Sequence, residues 1–174
     1  MTIRKATAAD LADVERLYNA AHSAEEAGRI VTGWIRGIYP VRATAEAALA
    51  RGDLFVLEED GRILGTALIN QIQVDRYAGA PWEHPAPDEK VCVLHTLVID
   101  PAQAGQGYGT AFVAYYEDYA RAHGWPELRI DTNERNLAAR ALYRKLGYRE
   151  ISTVSTVFNG LPDIRLVMLE KYLG

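Results

Sequence analysis

Apolar residues recur along the chain at two spacings, and each spacing predicts one kind of secondary structure. In five segments they stand three or four positions apart, which is typical of a helix with one buried face. Gly124 and Gly147 follow two of these segments, where glycine can end a helix in the left-handed conformation. The predicted helices cover residues 11–21, 30–38, 44–50, 107–123 and 137–146.

Seven shorter segments are rich in β-branched and other apolar residues and predict strands. Asp60-Gly61 between two of them is a strong hairpin signal, and Asn159-Gly160 is placed to turn between the last two. Residues 91–99 are almost uninterruptedly apolar, as expected of a central strand covered on both faces. The predicted strands cover residues 2–5, 53–59, 62–70, 91–99, 128–132, 148–158 and 164–170.

The order of these elements predicts a mixed sheet with helices on its faces. A first strand and helices are followed by two or three strands, a helix, a strand, a helix and two strands. No linker composition interrupts the series, so we expect a single domain over residues 1–174. The connection over residues 71–90 is long for a compact domain, which indicates either a functional or a mobile segment.

Composition narrows the class of protein without naming its chemistry. Hydrophobic residues make up 49% and charged residues 24%, which is typical of a folded globular chain. The formal net charge of −4 argues against an electrostatic nucleic-acid binder, which needs a basic surface. One cysteine, Cys92, permits no internal disulfide, and neither a signal peptide nor a membrane-spanning run is visible. We therefore expect a cytoplasmic protein that binds neither nucleic acid nor membrane.

A glycine-rich stretch over residues 105–110 follows the predicted central strand and opens the next helix. Alternating glycines let backbone N–H groups converge, and a helix start adds unpaired N–H groups and partial positive charge. This combination suits a phosphate or pyrophosphate. The dinucleotide motif Gly-x-Gly-x-x-Gly is not met, because Thr110 stands where its third glycine belongs, and no Gly-Lys-Ser/Thr triplet of a Walker loop follows. By itself the stretch could equally be a turn that only starts a helix.

A second motif, over residues 131–148, combines the end of a strand with the start of a helix. Asn136 is placed to cap that helix, and Tyr143 lies seven residues later, two turns along the same face. Viewed singly, Asn136 could be only a cap and Tyr143 only a surface residue of an amphipathic helix. Their occurrence together with the glycine stretch favours a binding site.

Together the two motifs resemble those of the GCN5-related N-acetyltransferase (GNAT) superfamily. Its first motif is a strand reading Leu-x-Val-x-Pro followed by Gln/Arg-x-x-Gly-x-Gly/Ala. Here the strand is Leu97-Val98-Ile99-Asp100-Pro101 and the loop is Ala104-Gly105-Gln106-Gly107-Tyr108-Gly109. The second motif, Asn-x-x-Ala-x-x-Leu-Tyr-x-Lys-x-Gly-Phe/Tyr, is matched at every named position from Asn136 to Tyr148. Ala104 departs from the usual Gln or Arg, which removes one side chain from the pyrophosphate site.

The resemblance covers nearly the whole chain and implies an α+β, three-layer α/β/α fold. Its sheet would be mixed but mostly antiparallel, with helices on both faces. It also implies acetyl-CoA as the acyl-donor cosubstrate, with the pantetheine arm along the predicted central strand and the pyrophosphate on the amides of residues 105–110. The cofactor-binding residues would then be Leu97, Val98, Ile99, Ala104, Gly105, Gln106, Gly107, Tyr108, Gly109, Thr110, Asn136, Ala139 and Tyr143.

Acetyl transfer to an amine needs a base and benefits from an acid. An alkyl ammonium with a pKa of ~10.4 is neutral in only about one molecule in 2,500 at pH 7, so the site must remove a proton. The resemblance makes Tyr143 the acid that meets the leaving sulfur. His95 is the candidate base because imidazole has a suitable pKa, the alternative being a core histidine bonded to backbone. A carboxylate or a water held by Thr96 could replace it, and Glu83 and His84 are weaker candidates.

The acceptor pocket is expected to draw on the N-terminal helices and on the connection 71–90. Its candidate walls are Trp34, Tyr39, Asn70, Gln73, Tyr77 and Trp82, although ordinary packing would also explain Trp34. The histidines show no metal-ligand spacing, so no metal is expected. The oligomeric state is left open, a homodimer included.

The sequence thus predicts an N-acetyltransferase that moves an acetyl group from acetyl-CoA to a primary amine of a small molecule or peptide by direct attack on the thioester. The alternative is a non-catalytic acyl-CoA-binding or sensing domain on the same fold, since fold does not settle function. A third possibility, a dinucleotide oxidoreductase, is disfavoured by the glycine spacing.

Overall fold

Seven strands form one sheet in the computed structural model, which describes residues 1–174. Their order across the sheet is β1-β2-β3-β4-β5-β7-β6, and only β4 and β5 run parallel. The mixed, mostly antiparallel sheet predicted from the sequence is therefore confirmed. The strands are β1 (Thr2–Lys5), β2 (Leu54–Glu59), β3 (Arg62–Asn70), β4 (Val91–Ile99), β5 (Glu127–Asn133), β6 (Arg149–Phe158) and β7 (Leu161–Tyr172).

Four helices cover the sheet on both faces, which makes the three layers. Side chains alternate along β2, so Leu54 and Val56 join one core with α1 and α2, and Phe55 and Leu57 join another with α3 and α4. The longest helices have 16 residues, and no helix combines the length and apolar character that crossing a membrane requires. The helices are α1 (Leu11–Glu26), α2 (Arg42–Arg51), α3 (Tyr108–His123) and α4 (Leu137–Lys145).

Both predicted hairpin turns are present. Asp60 and Gly61 have φ angles of 50° and 72°, and Asn159 and Gly160 have 50° and 78°. Positive φ at both central residues is what a type I′ turn requires, and Asn, Asp and Gly reach it most readily. These turns set the registers of β2 against β3 and of β6 against β7.

The predicted helix over residues 30–38 does not form. Gly33 and Gly37 adopt φ angles of 79° and 78°, which break a right-handed helix. A tight turn closes instead, with the Tyr39 amide donating to the Ile35 carbonyl at 3.1 Å. A Cβ on Gly33 would collide with the side chain of Asn133, so glycine lets this loop approach the end of β5. The apolar spacing that suggested a helix belongs to a loop over the sheet.

The long connection over residues 71–90 covers the same face of the sheet beside that loop. It contains short 3₁₀ turns at Asp75–Tyr77 and Asp88–Lys90. Tyr77 is 2% exposed and packs in a small core with Val91, Val93 and Met168. The connection is thus anchored over β4, β5 and β7.

Candidate active site

The two parallel strands at the centre of the sheet separate halfway along their length. Val91 to Leu94 of β4 pair with Glu127 to Ile130 of β5, and no pair follows. Beyond that point β4 stays paired with β3, and β5 stays paired with β7. Residues 95–99 therefore present one backbone edge toward a wedge between the strands.

A β-bulge shapes the β4 side of this wedge. Thr66 pairs with Val98 but Leu68 pairs with His95, so one residue of β3 opposes two of β4. Thr96 lies in the bulge with a φ of 50°, an uncommon conformation for a β-branched residue. Its hydroxyl is hydrogen-bonded to the hydroxyl of Tyr39. Strained residues of this kind concentrate at functional sites, and this one lies where the two strands part.

The glycine loop follows directly from the end of β4. Asp100 caps a short 3₁₀ turn by accepting from the Ala102 amide at 3.0 Å. Gly105 and Gly107 then take φ angles of 80° and 85°, and Gly107 is the N-cap of α3. Residues 104–107 are exposed, so the loop and the first turn of α3 offer backbone N–H groups to solvent. The loop therefore has the exposure and the helix start that the predicted phosphate site requires.

Gly109 has a different role from the two loop glycines. A Cβ at this position would lie 3.2 Å from Cδ2 of Leu142 on α4. The absence of a side chain therefore lets the first turn of α3 lie close to α4. This contact brings the two sequence motifs to one end of the sheet.

Asn136 and Tyr143 take the positions expected of them on α4. Asn136 is the N-cap, and its Oδ1 accepts from the Ala139 amide at 3.2 Å. Tyr143 is 6% exposed and makes an edge contact with Tyr148. Burial raises the pKa of the Tyr143 hydroxyl, and the nearby charge of Asp131 raises it further. This phenol therefore keeps its proton at neutral pH.

A cleft opens on the face of the wedge opposite α3 and α4, and we call it the inner cleft. The N-terminal loop forms one side of it, the β6–β7 hairpin another, and the ends of β4 and β5 its floor. Its lining residues are Thr32, Trp34, Tyr39, His95, Thr96, Asp131, Thr132, Asn133, Asn136, Phe158, Leu161, Ile164 and Leu166.

Asp131 is the only carboxylate that lines the inner cleft, and sequence reasoning did not single it out. The Tyr77 hydroxyl donates to its Oδ2 at 2.8 Å. Burial raises the pKa of Asp131 to about 6, although the hydrogen bond from Tyr77 opposes the change. The carboxylate is therefore ionised at neutral pH and is a stronger base than an ordinary aspartate. The one sequence signal was an acidic residue near the end of a predicted strand.

His95, the predicted base, also lines the inner cleft but is held in a form that weakens it as a base. Its Nε2 lies 2.9 Å from the Ile72 carbonyl, which can only accept, so Nε2 carries the proton. The same nitrogen lies 3.1 Å from Oδ1 of Asn70. Burial lowers the pKa of His95 to about 4. This geometry matches the alternative of a histidine bonded to backbone.

The six predicted acceptor-wall residues separate into three groups. Trp34 and Tyr39 line the inner cleft, and their rings meet edge to face at 6.2 Å. Tyr77 reaches the cleft only through its bond to Asp131. Asn70 does not line the cleft, because its amide donates to Asp53 at 2.8 Å behind His95.

Gln73 and Trp82, also predicted in the acceptor wall, do not line the inner cleft. They line a separate groove, in which the Arg129 guanidinium lies 4.0 Å from the centre of the Trp82 ring. The weaker base candidates lie elsewhere as well, since Glu83 pairs with Arg149 and the His84 ring stacks on Tyr172. Side chains of one connection face two different surfaces, which spacing alone does not reveal.

Comparison with known proteins agrees with this geometry. The model of the acetyltransferase (GNAT) family matches residues 12–148. Human N-acetyltransferase 8 is 30% identical over 94 residues, which are 54% of this chain and 41% of that protein. The chain spans about two fifths of the length of the curated relatives it matches.

Solved structures share the fold over almost the full chain. A GNAT-family acetyltransferase from Streptococcus agalactiae has a TM-score of 0.79 at 23% identity, covering 98% of this chain and 94% of that one. The yncA protein of Salmonella typhimurium, solved with its cofactor acetyl-CoA, has a TM-score of 0.68 at 21% identity, covering 99% and 94%. The wedge, the glycine loop and the family match lead to one conclusion: the chain belongs to the acetyltransferase (GNAT) family.

Proposed function

We propose that this protein transfers an acetyl group from acetyl-CoA to a primary amine of a small molecule or peptide, by direct attack of the amine on the thioester. The observation that carries the proposal is the separation of β4 from β5 beside the glycine loop. The free edge of β4 is followed directly along the chain by the backbone amides of the glycine loop. This is the order in which acetyl-CoA presents its pantetheine arm and its pyrophosphate.

The chain's own residues divide the binding work. The backbone of Leu97, Val98 and Ile99 pairs with the pantetheine amides as an additional strand would. The amides of residues 105–110 hold the pyrophosphate, helped by the positive end of α3. Ala104 adds no side chain there, so backbone groups carry the contact. On the opposite side of the cofactor lie Asn136, Ala139 and Tyr143, which α4 holds on one face.

Asp131 supplies the base in this proposal. Its pKa of about 6 lies below the ~10.4 of an alkyl ammonium, so proton transfer is uphill. Raising the carboxyl pKa from 3.8 to about 6 reduces that difference by about 3 kcal/mol. His95, with a pKa of about 4, accepts the same proton less readily. The comparison favours the carboxylate on β5 over the imidazole on β4.

The steps then balance without a further reactant. Asp131 takes one proton from the ammonium, and the neutral nitrogen attacks the acetyl carbon. The carbon–sulfur bond breaks as Tyr143 gives its proton to the sulfur. The second proton leaving the nitrogen restores the phenol. Because burial keeps the Tyr143 hydroxyl protonated, it is available as this acid.

Release of CoA thiol in the presence of a panel of amines tests the proposal. We expect acetyl-CoA to bind and at least one primary amine to be acetylated, with the product confirmed by mass. Binding of acetyl-CoA without turnover of any amine would support the alternative of a non-catalytic acyl-CoA-binding domain. No binding of acetyl-CoA by well-folded protein would overturn both.

A further inference from the structure

The inner cleft distributes charge unevenly, and this constrains the molecule that enters it. Asp131 is the only charged side chain along its wall, because His95 is neutral and no lysine or arginine lines it. A cationic ammonium therefore finds a partner in the cleft. A negatively charged group finds none and meets the Asp131 carboxylate instead.

The rest of the wall is apolar and belongs to one side-chain cluster. Leu161, Ile164 and Leu166 of β7 are buried, and Trp34, Tyr39 and Phe158 pack against them. Tyr39 uses its hydroxyl to bond Thr96, so it presents mainly its ring. A surface of this kind favours an aromatic or branched apolar arm on the incoming amine.

The arginines on this side of the molecule lie farther out. A second groove continues from the cleft through Trp34, Asn133 and Ile164, and it contains Arg135 and Arg165. The Arg165 guanidinium is paired with Glu134 at 2.6 Å. Glu25 and Asp163 line the same groove, so it carries more carboxylates than guanidinium groups.

A carboxylate on the amine-bearing carbon cannot reach these arginines. It lies two bonds from the nitrogen, so it must enter the inner cleft together with the ammonium. There it would be desolvated beside Asp131 without a cation to pair with. An amide or a hydrogen in its place removes that penalty.

Resting on the proposed function, we propose that the acceptor is a primary amine on an aromatic or branched apolar arm, with no carboxylate on the amine-bearing carbon. The combination that points to it is one half-buried carboxylate in a cleft whose remaining wall is largely an aromatic and aliphatic cluster. Free α-amino acids are thereby excluded as good acceptors.

Acceptors that differ in one group test the proposal. We would compare phenethylamine, L-phenylalaninamide and L-phenylalanine by kcat/KM per ammonium form of the acceptor, with isopentylamine and L-leucine as a second pair. The kcat/KM of phenethylamine should exceed that of phenylalanine by about 100-fold or more, and phenylalaninamide should recover most of this difference. Equal or better use of the amino acids would overturn the proposal, and so would turnover of peptide N-termini alone.

A variant with a matched control addresses the apolar wall. Phe158→Ala should lower kcat/KM for phenethylamine by about tenfold or more but leave methylamine, which has no arm, unchanged. Val157→Ala on the same strand is the control, because Val157 is 71% exposed and points away from the cleft. An equal loss of kcat/KM for both amines would assign Phe158 a structural role and would mean that the apolar wall does not select the acceptor.

Calorimetry with acetyl-CoA separates the two proposals. If acetyl-CoA does not bind, the proposed function itself fails. If acetyl-CoA binds and acetyl groups move to acceptors outside the proposed class, only the acceptor class is wrong. Binding without turnover of any amine in the panel overturns the class as well.

Discussion

The two walls of the wedge carry one titratable candidate each, His95 on β4 and Asp131 on β5, and burial acts on both in opposite senses. Burial disfavours charge, so it lowers the pKa of His95 to about 4 and raises that of Asp131 to about 6. Their usual order, in which imidazole is the stronger base, is thereby reversed. A difference of about two units means that Asp131 binds a proton about 100 times more tightly.

Hydrogen bonds extend the contrast. The His95 proton on Nε2 is directed at the Ile72 carbonyl, which holds the ring against the backbone. Asp131 accepts a side-chain hydrogen bond at one oxygen only, from Tyr77, and the residue lines the inner cleft. The His95 ring on β4 is therefore held by the backbone, whereas the Asp131 carboxylate on β5 is left available to an incoming amine. Residue type alone does not identify a base, because the surroundings set both the pKa and the free lone pairs.

Replacing each candidate base gives the largest expected difference in kcat/KM. Asp131→Asn should lower kcat/KM for an amine acceptor by about 10³, while His95→Gln should change it by less than about fivefold. Thiol release measures the rates, and calorimetry should show unchanged affinity for acetyl-CoA in both variants. A greater loss in His95→Gln than in Asp131→Asn would return the base to the β4 wall.

Removal of the proposed acid on α4 has the next largest expected effect on the rate. Tyr143→Phe should lower kcat by about 10² with little change in KM for acetyl-CoA, because only the proton donor to sulfur is lost. Tyr148→Phe is a matched control, since it removes a hydroxyl from the buried ring that makes an edge contact with Tyr143 and has no part in the proposed proton transfer. Equal rates for Tyr143→Phe and the parent would refute the acid role.

Stability should reveal the raised pKa of Asp131 independently of activity. The folded pKa of about 6 exceeds the ordinary 3.8, so the folded state binds more protons between these values. Stability is therefore lost as pH rises from about 4 to 6, by about 3 kcal/mol once the carboxylate is ionised. Asp131→Asn should accordingly raise Tm at pH 7.5 but not at pH 4. The same change of Tm at both pH values would exclude ionisation as its cause.

The pH profile provides the smallest but most specific signal. Because the base acts in its deprotonated form, kcat/KM should rise with pH along an acidic limb and level off above about 6. With His95 as the base, this limb would lie near pH 4. Tyr77→Phe removes a hydrogen bond that stabilises the ionised carboxylate, so it should move the limb upward by about half a unit. A limb that stays in place would show that Asp131 does not control it.

Local signals explain why much of the fold could be predicted. The turns at Asp60-Gly61 and Asn159-Gly160 depend on two adjacent residues, and both form with positive φ. The glycine loop likewise needs only its own residues and the helix that follows. Such features are encoded within a few positions, so no knowledge of distant packing is required.

Features that depend on distant neighbours were missed or misplaced. Gly33 and Gly37 interrupt an otherwise helical spacing because the loop must lie against Asn133. Asp131 has a raised pKa because the fold buries it, and its hydrogen-bond partner Tyr77 lies 54 residues away in sequence. Gln73 lines a different groove from Trp34 and Tyr39 because the path of its connection decides which surface it faces. These outcomes follow from three-dimensional burial, which a linear pattern does not contain.

The partial pairing of β4 and β5 has a mechanical consequence. The sheet consists of two leaves, β1 to β4 and β5 to β7, and only four residue pairs join them. A small rotation at this short seam changes the width of the wedge and hence the separation between Thr96 and Asp131. A ligand that bonds to both leaves would restrict their relative rotation. Greater protection of the residue 95–99 amides against hydrogen exchange should then report the stiffer junction between β4 and β5.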